Sequence, residues 1–242
     1  MIVALILVVL ILGVGIVSFT GCSGKYTKEE NEMLIHEMTK KVIDGAQTDV
    51  EKAEKIFYFI RDEIKFGWVY PQEMPAADVL RNKKGVCMQK ANLQIAMMNE
   101  VGLKTRYHFM YVNKKALEDF LPGFAYNNWP ETFAHTYPEV FLNGKWVSVE
   151  ATIDKELHEI CIKEKKNFGK YSDIVESCSI EFSLDGVKAH QQYQEVEGKE
   201  SFYGTSIDDF TEYLHTEVSW WKRLLQPIIF RQAEKIMKQF RY

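Results

Sequence analysis

Two alternating runs meet at Asn143-Gly144 in "HTYPEVFLNGKWVSVEAT", residues 135–152. Asn-Gly accepts the positive φ angles of a two-residue hairpin turn, whose twist matches that of antiparallel strands. The turn sets the register. Leu142 falls opposite Lys145, Phe141 opposite Trp146, Glu139 opposite Ser148, Tyr137 opposite Glu150, and His135 opposite Thr152. Alternation then sorts the side chains onto two faces. Val140, Leu142, Val147, Val149 and Ala151 form an apolar face that must be covered. His135, Tyr137, Glu139, Trp146, Ser148 and Glu150 form the other. His135 and Glu150 are diagonal neighbours in this register, about 7–8 Å apart.

Helices upstream can supply the cover. In "TKEENEMLIHEMTKKVIDGA", Met33, Ile35, Met38 and Val42 fall roughly on one helical face. Thr48 and Glu51 have capping-box spacing, and Ala53, Ile56, Phe57, Ile60 and Ile64 follow as a helical stripe. "AADVLRNKKG" reads as a short helical turn stopped by Gly85. The next helix opens at Cys87, carries Ala91, Ile95 and Met98 on one side, and closes at Gly102. "KTRYHFMYV" is a strand ending at Asn113, and residues 114–133 form a connection long enough to face a substrate. "SIEFSLDGVKAH" suggests a further strand with a turn at Asp185-Gly186. Helix plus antiparallel sheet makes the class α+β.

Three segments are expected: an N-terminal segment over 1–24, one domain over 25–215, and a C-terminal basic amphipathic helix over 216–242. That helix carries Lys222, Arg223, Arg231, Lys235, Lys238 and Arg241 beside Trp220, Trp221, Leu224, Leu225, Ile228 and Ile229. It suits either packing on the domain with a solvated basic face or lying on an anionic membrane surface.

The first charged side chain is Lys25, and the apolar run from Met1 to Phe19 matches the ~20 residues that cross a bilayer. It ends in "TGCS", so it is either a lipoprotein signal with Cys22 as the lipidated residue or an uncleaved membrane helix. Both readings tether the protein to a membrane, with the extracytoplasmic face expected. A net charge of −4 and no Lys/Arg-rich block argue against a nucleic-acid partner, which requires a basic stripe. The four cysteines form no C-x-x-C, and no H-E-x-x-H is present, so no metal or other cofactor is expected. Cys161 and Cys178 are either a disulfide, if the domain lies outside the cytoplasm, or two buried free thiols.

Cys87 stands where a packing cysteine has no reason to be, two residues after a glycine and at the mouth of a helix. The positive end of the helix dipole and the unpaired first-turn N–H groups favour a thiolate there, and the same amides can receive an oxyanion. A strand histidine, His135, backed by a carboxylate one strand away, Glu150, supplies a base and its orienter.

"ADVLRNKKGVCMQKANLQIAMMNEVGLKTRYHFMYV" followed by "HTYPEVFLNGKWVSVEATID" resembles the transglutaminase-like superfamily, with its papain-type Cys-His-Asp arrangement. Gly102 and Arg106 stand where that family turns from the nucleophile helix into a strand, and "EKAEKIFYFIRDEIKFGW" resembles the helix that precedes its core. Cys87-Met88-Gln89-Lys90-Ala91 fits the subset with Cys-x-Gln-Lys-Ala after the glycine. The resemblance covers roughly Val50 to Asp154. It implies a helix bearing the cysteine packed on an antiparallel sheet bearing the histidine and acid, and the roles nucleophile for Cys87, base for His135 and third residue for Glu150. Most members have Asp where this chain has Glu150, so Asp154 or Glu139 are alternative acids. Gln72, upstream of the nucleophile with Trp68 and Tyr70, is where the family often recruits an oxyanion donor. The implied function is thiol-dependent acyl transfer on a peptide or protein substrate, with hydrolysis favoured over cross-linking. The alternative is an inactive peptide-binding module of the same fold. His36, His108, His158, His190 and His215 have no such context and receive no role.

Overall fold

The structure is a computed structural model that describes residues 26–71, 73–118, 123–163, 175, 178–189, 196–209 and 220–241. Gln72 and Cys22 lie outside the described residues, as do the apolar segment Met1–Phe19 and most of 164–177.

Two capped helices come first. In α1 (Lys28–Val42), the Thr27 hydroxyl accepts from the Glu30 amide while Glu30 accepts from the Thr27 amide. In α2 (Asp49–Glu63), Thr48 and Glu51 make the same reciprocal pair. The stripe Ala53, Ile56, Phe57, Ile60 and Ile64 is wholly buried, as its spacing predicts. β1 (Lys65–Phe66) runs parallel to β2 (Lys84–Gly85) across α3 (Ala76–Asn82). The sequence reading expects Gly85 to stop α3; Lys83 does so instead, with φ +52°, and Gly85 belongs to the strand. A Cβ at Gly85 would meet the Gln89 side chain at 2.8 Å, so glycine is required there by the helix that follows.

α4 (Cys87–Glu100) is the central helix. Met88, Ala91, Leu93, Ile95, Met97 and Met98 are all buried, and so are Gln89, Lys90 and Gln94. It ends in a Schellman pattern, with Gly102 at φ +76° and the Leu103 amide donating to the Met98 carbonyl. β3 (Thr105–Asn113) follows, then a short α5 (Gly123–Asn128), β4 (Thr132–Leu142), β5 (Lys145–Ser148), α6 (Lys155–Lys163), β6 (Phe202–Gly204) and α7 (Trp220–Arg241). The main sheet has the order β5-β4-β3-β6, every pair antiparallel.

The β4–β5 hairpin has the predicted register from Leu142↔Lys145 to Glu139↔Ser148, around a turn with φ +51° at Asn143 and +81° at Gly144. The expected pairs Tyr137–Glu150 and His135–Thr152 do not form. The ladder stops because Pro138, opposite Val149, accepts from the Val149 amide at 3.0 Å but has no N–H to return. The chain then peels away, and the Glu150 amide donates to the Val187 carbonyl. The strand expected in "SIEFSLDGVKAH" is reduced to a single parallel bridge, Val149↔Val187.

α7 packs on the domain. Phe230, Ala233 and Met237 are buried with Phe66, Trp68 and Val86, while Ile228, Arg231, Lys235 and Lys238 face outward. Glu234 accepts from the Trp68 amide and from Lys84, and Arg241 grips Asp154 and Glu156. Among the described residues, no helix is long and apolar enough to cross a membrane.

Candidate active site

Cys87 is the first residue of α4, preceded by Val86 in extended backbone. The first-turn amides of a helix have no intrahelical acceptor, and the Gln89 side chain takes one of those nearby by accepting from the Val86 amide at 3.0 Å. Gln89 also donates to the carbonyls of Val69 (3.2 Å) and Pro71 (2.7 Å), which ties the loop upstream of the nucleophile to the helix start. The wall beside Val86 is aromatic: Trp68, Trp129 and Phe133 pack in its cluster, and Trp68 meets Trp129 at 5.9 Å between ring centroids.

His135 is buried on β4 between two partners. Its Nε2 lies 2.7 Å from Glu150 Oε1, and Cys87 at the mouth of α4 is its second electrostatic partner. Burial opposes its positive charge, but the Glu150 carboxylate and then Cys87 outweigh that, and its pKa is pushed up to about 10. Glu150 is buried too, and its Oε2 accepts from the Ala189 amide at 2.8 Å. The carboxylate is therefore held from two sides.

The other acids are committed elsewhere. Asp154 caps α6 by accepting from the Leu157 amide (3.0 Å), accepts from the Phe66 amide (2.7 Å), and pairs with Arg241. Burial works against its charge, yet these partners, Arg241 foremost, hold its carboxyl below the ordinary range. Glu139 accepts from Arg106 Nε at 2.7 Å and from His108 Nδ1 at 3.0 Å, which outweigh burial in the same way. His108, which receives no role from the sequence, thus belongs to a neighbouring polar cluster with Tyr137. The register places it there, since His108 pairs with Tyr137 and Arg106 with Glu139.

Cys161 and Cys178 are buried in one apolar cluster as free thiols, and burial pushes Cys161 up to about 12. Among the described residues, no group of three or more His, Cys, Asp and Glu side chains could hold a metal ion.

The sequence reading passes over Gln89, Lys90 and Gln94 as individuals. Lys90 Nζ donates to the Thr152 carbonyl (3.1 Å), and Gln94 Nε2 to the Val149 carbonyl (2.8 Å). The signal for two of them is the Gln-Lys pair in Cys87-Met88-Gln89-Lys90-Ala91.

Residues 36–151 match the model of the transglutaminase-like superfamily. No curated protein matches the chain. Among solved structures, a candidate cysteine protease from Cytophaga hutchinsonii is similar at 21% identity and a TM-score of 0.40, over 51% of this chain and 38% of that one. A TGase is similar at 16% identity and TM-score 0.40, over 54% and 35%. A candidate protease from Parabacteroides distasonis is similar at 14% identity and TM-score 0.32, over 49% and 25%. The chain thus spans well under half the length of these structures, and likeness at this level says nothing about activity.

Proposed function

We propose that the transglutaminase-like core, carried over residues 36–151, is a thiol enzyme that opens amide bonds in a peptide or protein and passes the acyl group to water. The single observation that carries this reading is buried His135, 2.7 Å from Glu150 Oε1 and electrostatically coupled to Cys87 at the start of α4.

The steps follow from that order. Cys87 attacks as the thiolate, its proton already held on the His135 imidazole, and its sulfur bonds to the amide carbon. The carbonyl electrons move onto oxygen, and the first-turn amides of α4 are placed to receive that charge. Glu150 stabilises the imidazolium and keeps the ring oriented. The intermediate collapses, the C–N bond breaks, and His135 returns its proton to the departing amine. A water then attacks the thioester and gives one proton to His135, and the Cys87 sulfur leaves as the thiolate beside the imidazolium, restoring the starting pair. An amine in place of water would give cross-linking instead.

Hydrolysis is favoured as the simpler outcome, because water needs no dedicated acceptor site whereas an amine does. The apolar segment Met1–Phe19 suits a membrane tether on the extracytoplasmic face, by its length and by the "TGCS" that follows. Gln72, two residues after Tyr70, is proposed as an added oxyanion donor. The test is incubation of the full chain with a mixed peptide library and a labelled primary amine. Free carboxyl termini are expected in a Cys87-dependent manner. Label in the peptides would instead make the enzyme a cross-linker, and neither product would leave the binding-module reading.

A further inference from the structure

The helix that carries the nucleophile is sewn to the segment that carries the acid, and the stitches are two polar side chains inside the core. Lys90 and Gln94 lie three and seven residues beyond Cys87, a spacing that puts all three toward one face of α4 (Cys87–Glu100). Both are about 1% exposed. Buried polar groups are costly unless hydrogen-bonded, so these two invite a reason.

The reason is the end of the β4–β5 ladder. An antiparallel pair of the hydrogen-bonded kind exchanges two N–H···O bonds. Val149 and Pro138 make one of them, from the Val149 amide to the Pro138 carbonyl. Pro138 has no N–H for the second, which would strand the Val149 carbonyl in the core. Gln94 Nε2 supplies the missing donor at 2.8 Å. Three residues on, Lys90 Nζ donates to the Thr152 carbonyl at 3.1 Å. Val149 and Thr152 flank Glu150, so the backbone on both sides of the acid is fixed to the helix of Cys87. On the sheet side, the Glu150 amide is held by the Val187 carbonyl.

We propose that Lys90 and Gln94 are positioning residues for Glu150: Gln94 takes the Val149 carbonyl that the interrupted ladder leaves, Lys90 takes the Thr152 carbonyl beyond it, and together they set the distance from the nucleophile helix to the carboxylate that holds His135. This rests on the triad reading of Cys87, His135 and Glu150. Neither side chain touches the reacting atoms.

The test is the rate of Cys87 alkylation by iodoacetamide in the full chain, read by peptide mass mapping across pH 5–9. The variants are Lys90→Met, Gln94→Met, Glu150→Gln and the two doubles with Glu150→Gln. Each Met variant is expected to lower the Cys87 rate about 10- to 100-fold and shift its pH profile, as misplacement of about 1 Å does. In the Glu150→Gln background the same changes are expected to cost less than about 2-fold, because groups that act through one another do not add. Full multiplication of the effects, with Glu150→Gln itself slowing the reaction, overturns the positioning role and leaves the triad standing. An unchanged rate in Glu150→Gln overturns the triad and this proposal with it.

A rescue makes the second arm. Pro138→Ala restores an N–H opposite the Val149 carbonyl, so Gln94→Met with Pro138→Ala is expected to recover most of the lost rate. No recovery in a folded double variant contradicts the account of Gln94. Should Gln94→Met alone fail to fold, the same double variant carries the readout.

Discussion

His135 Nε2 and Glu150 Oε1 lie 2.7 Å apart although the strand ladder that should align them has already ended at Ser148. Glu150 reaches back from a segment held by Val187, Ala189 and α4 (Cys87–Glu100), past the last bond to β4 (Thr132–Leu142) at Val149. The carboxylate spans from the imidazole on one oxygen to the Ala189 amide on the other.

Glu150 therefore tolerates little change. Glu150→Gln keeps the shape and removes the charge, and should slow Cys87 alkylation at least about 10-fold at neutral pH. Glu150→Asp withdraws the carboxylate by one methylene and gives up one of two contacts, so a loss of similar order is expected despite the family's common Asp. Asp154→Asn should leave the alkylation profile in place, because its partners are Arg241 and two backbone amides. Alkylation rates of the three variants check this.

Arg241 should matter for stability. It is the cation that offsets the buried Asp154, and removing one partner of such a pair costs about 3–5 kcal/mol. Arg241→Met is expected to lower urea stability by that order at pH 7. The Asp154 carboxyl is held below its ordinary value of 3.8, so its contribution is present above that pH and fades as pH falls through the lower folded value. The gap between wild type and variant should accordingly narrow in acid.

His135 gives a pH signature of the opposite sense. Its folded pKa of about 10 lies above the ordinary 6.5, so the stability it contributes is complete below 6.5 and lost as pH rises through about 10. Unfolding of wild type and His135→Gln, followed by circular dichroism, should show a difference that shrinks between those two values. A difference that stays constant would mean that the imidazole is not held as a cation.

Lys90 has the reverse arrangement. Burial lowers it from 10.5 to about 7. The unfolded chain binds a proton there between those values and the folded one does not, so folding is penalised progressively as pH falls from 10.5 to 7. Wild type should gain on Lys90→Met as pH rises through that window. The variant should also be slower at Cys87 at every pH, which separates the cost of a buried amine from its use.

Local chemistry made part of this legible. The Asn143-Gly144 turn dictates its own register as far as Ser148, and the His135–Glu150 pair it suggests forms through the segment beyond the ladder. Thr27–Glu30 and Thr48–Glu51 announce two helix starts. What stayed hidden depends on partners far along the chain. Lys90 and Gln94 fall on polar-looking positions of α4, and only the missing N–H of Pro138 and the course of 149–152 explain their burial. Gly85 reads as a helix stop, whereas its lack of a Cβ serves Gln89. Arg106, His108 and Glu139 look unrelated until β3 (Thr105–Asn113) pairs with β4.

The most direct measurement is acyl-enzyme formation. The full chain is mixed with a p-nitrophenyl ester, quenched in acid, and mapped by mass. An acyl adduct on Cys87 is predicted in wild type, with none at that position in Cys87→Ala and formation slowed at least about 100-fold in His135→Gln. No adduct on Cys87, or one that forms equally fast without the His135 imidazole, would contradict the account.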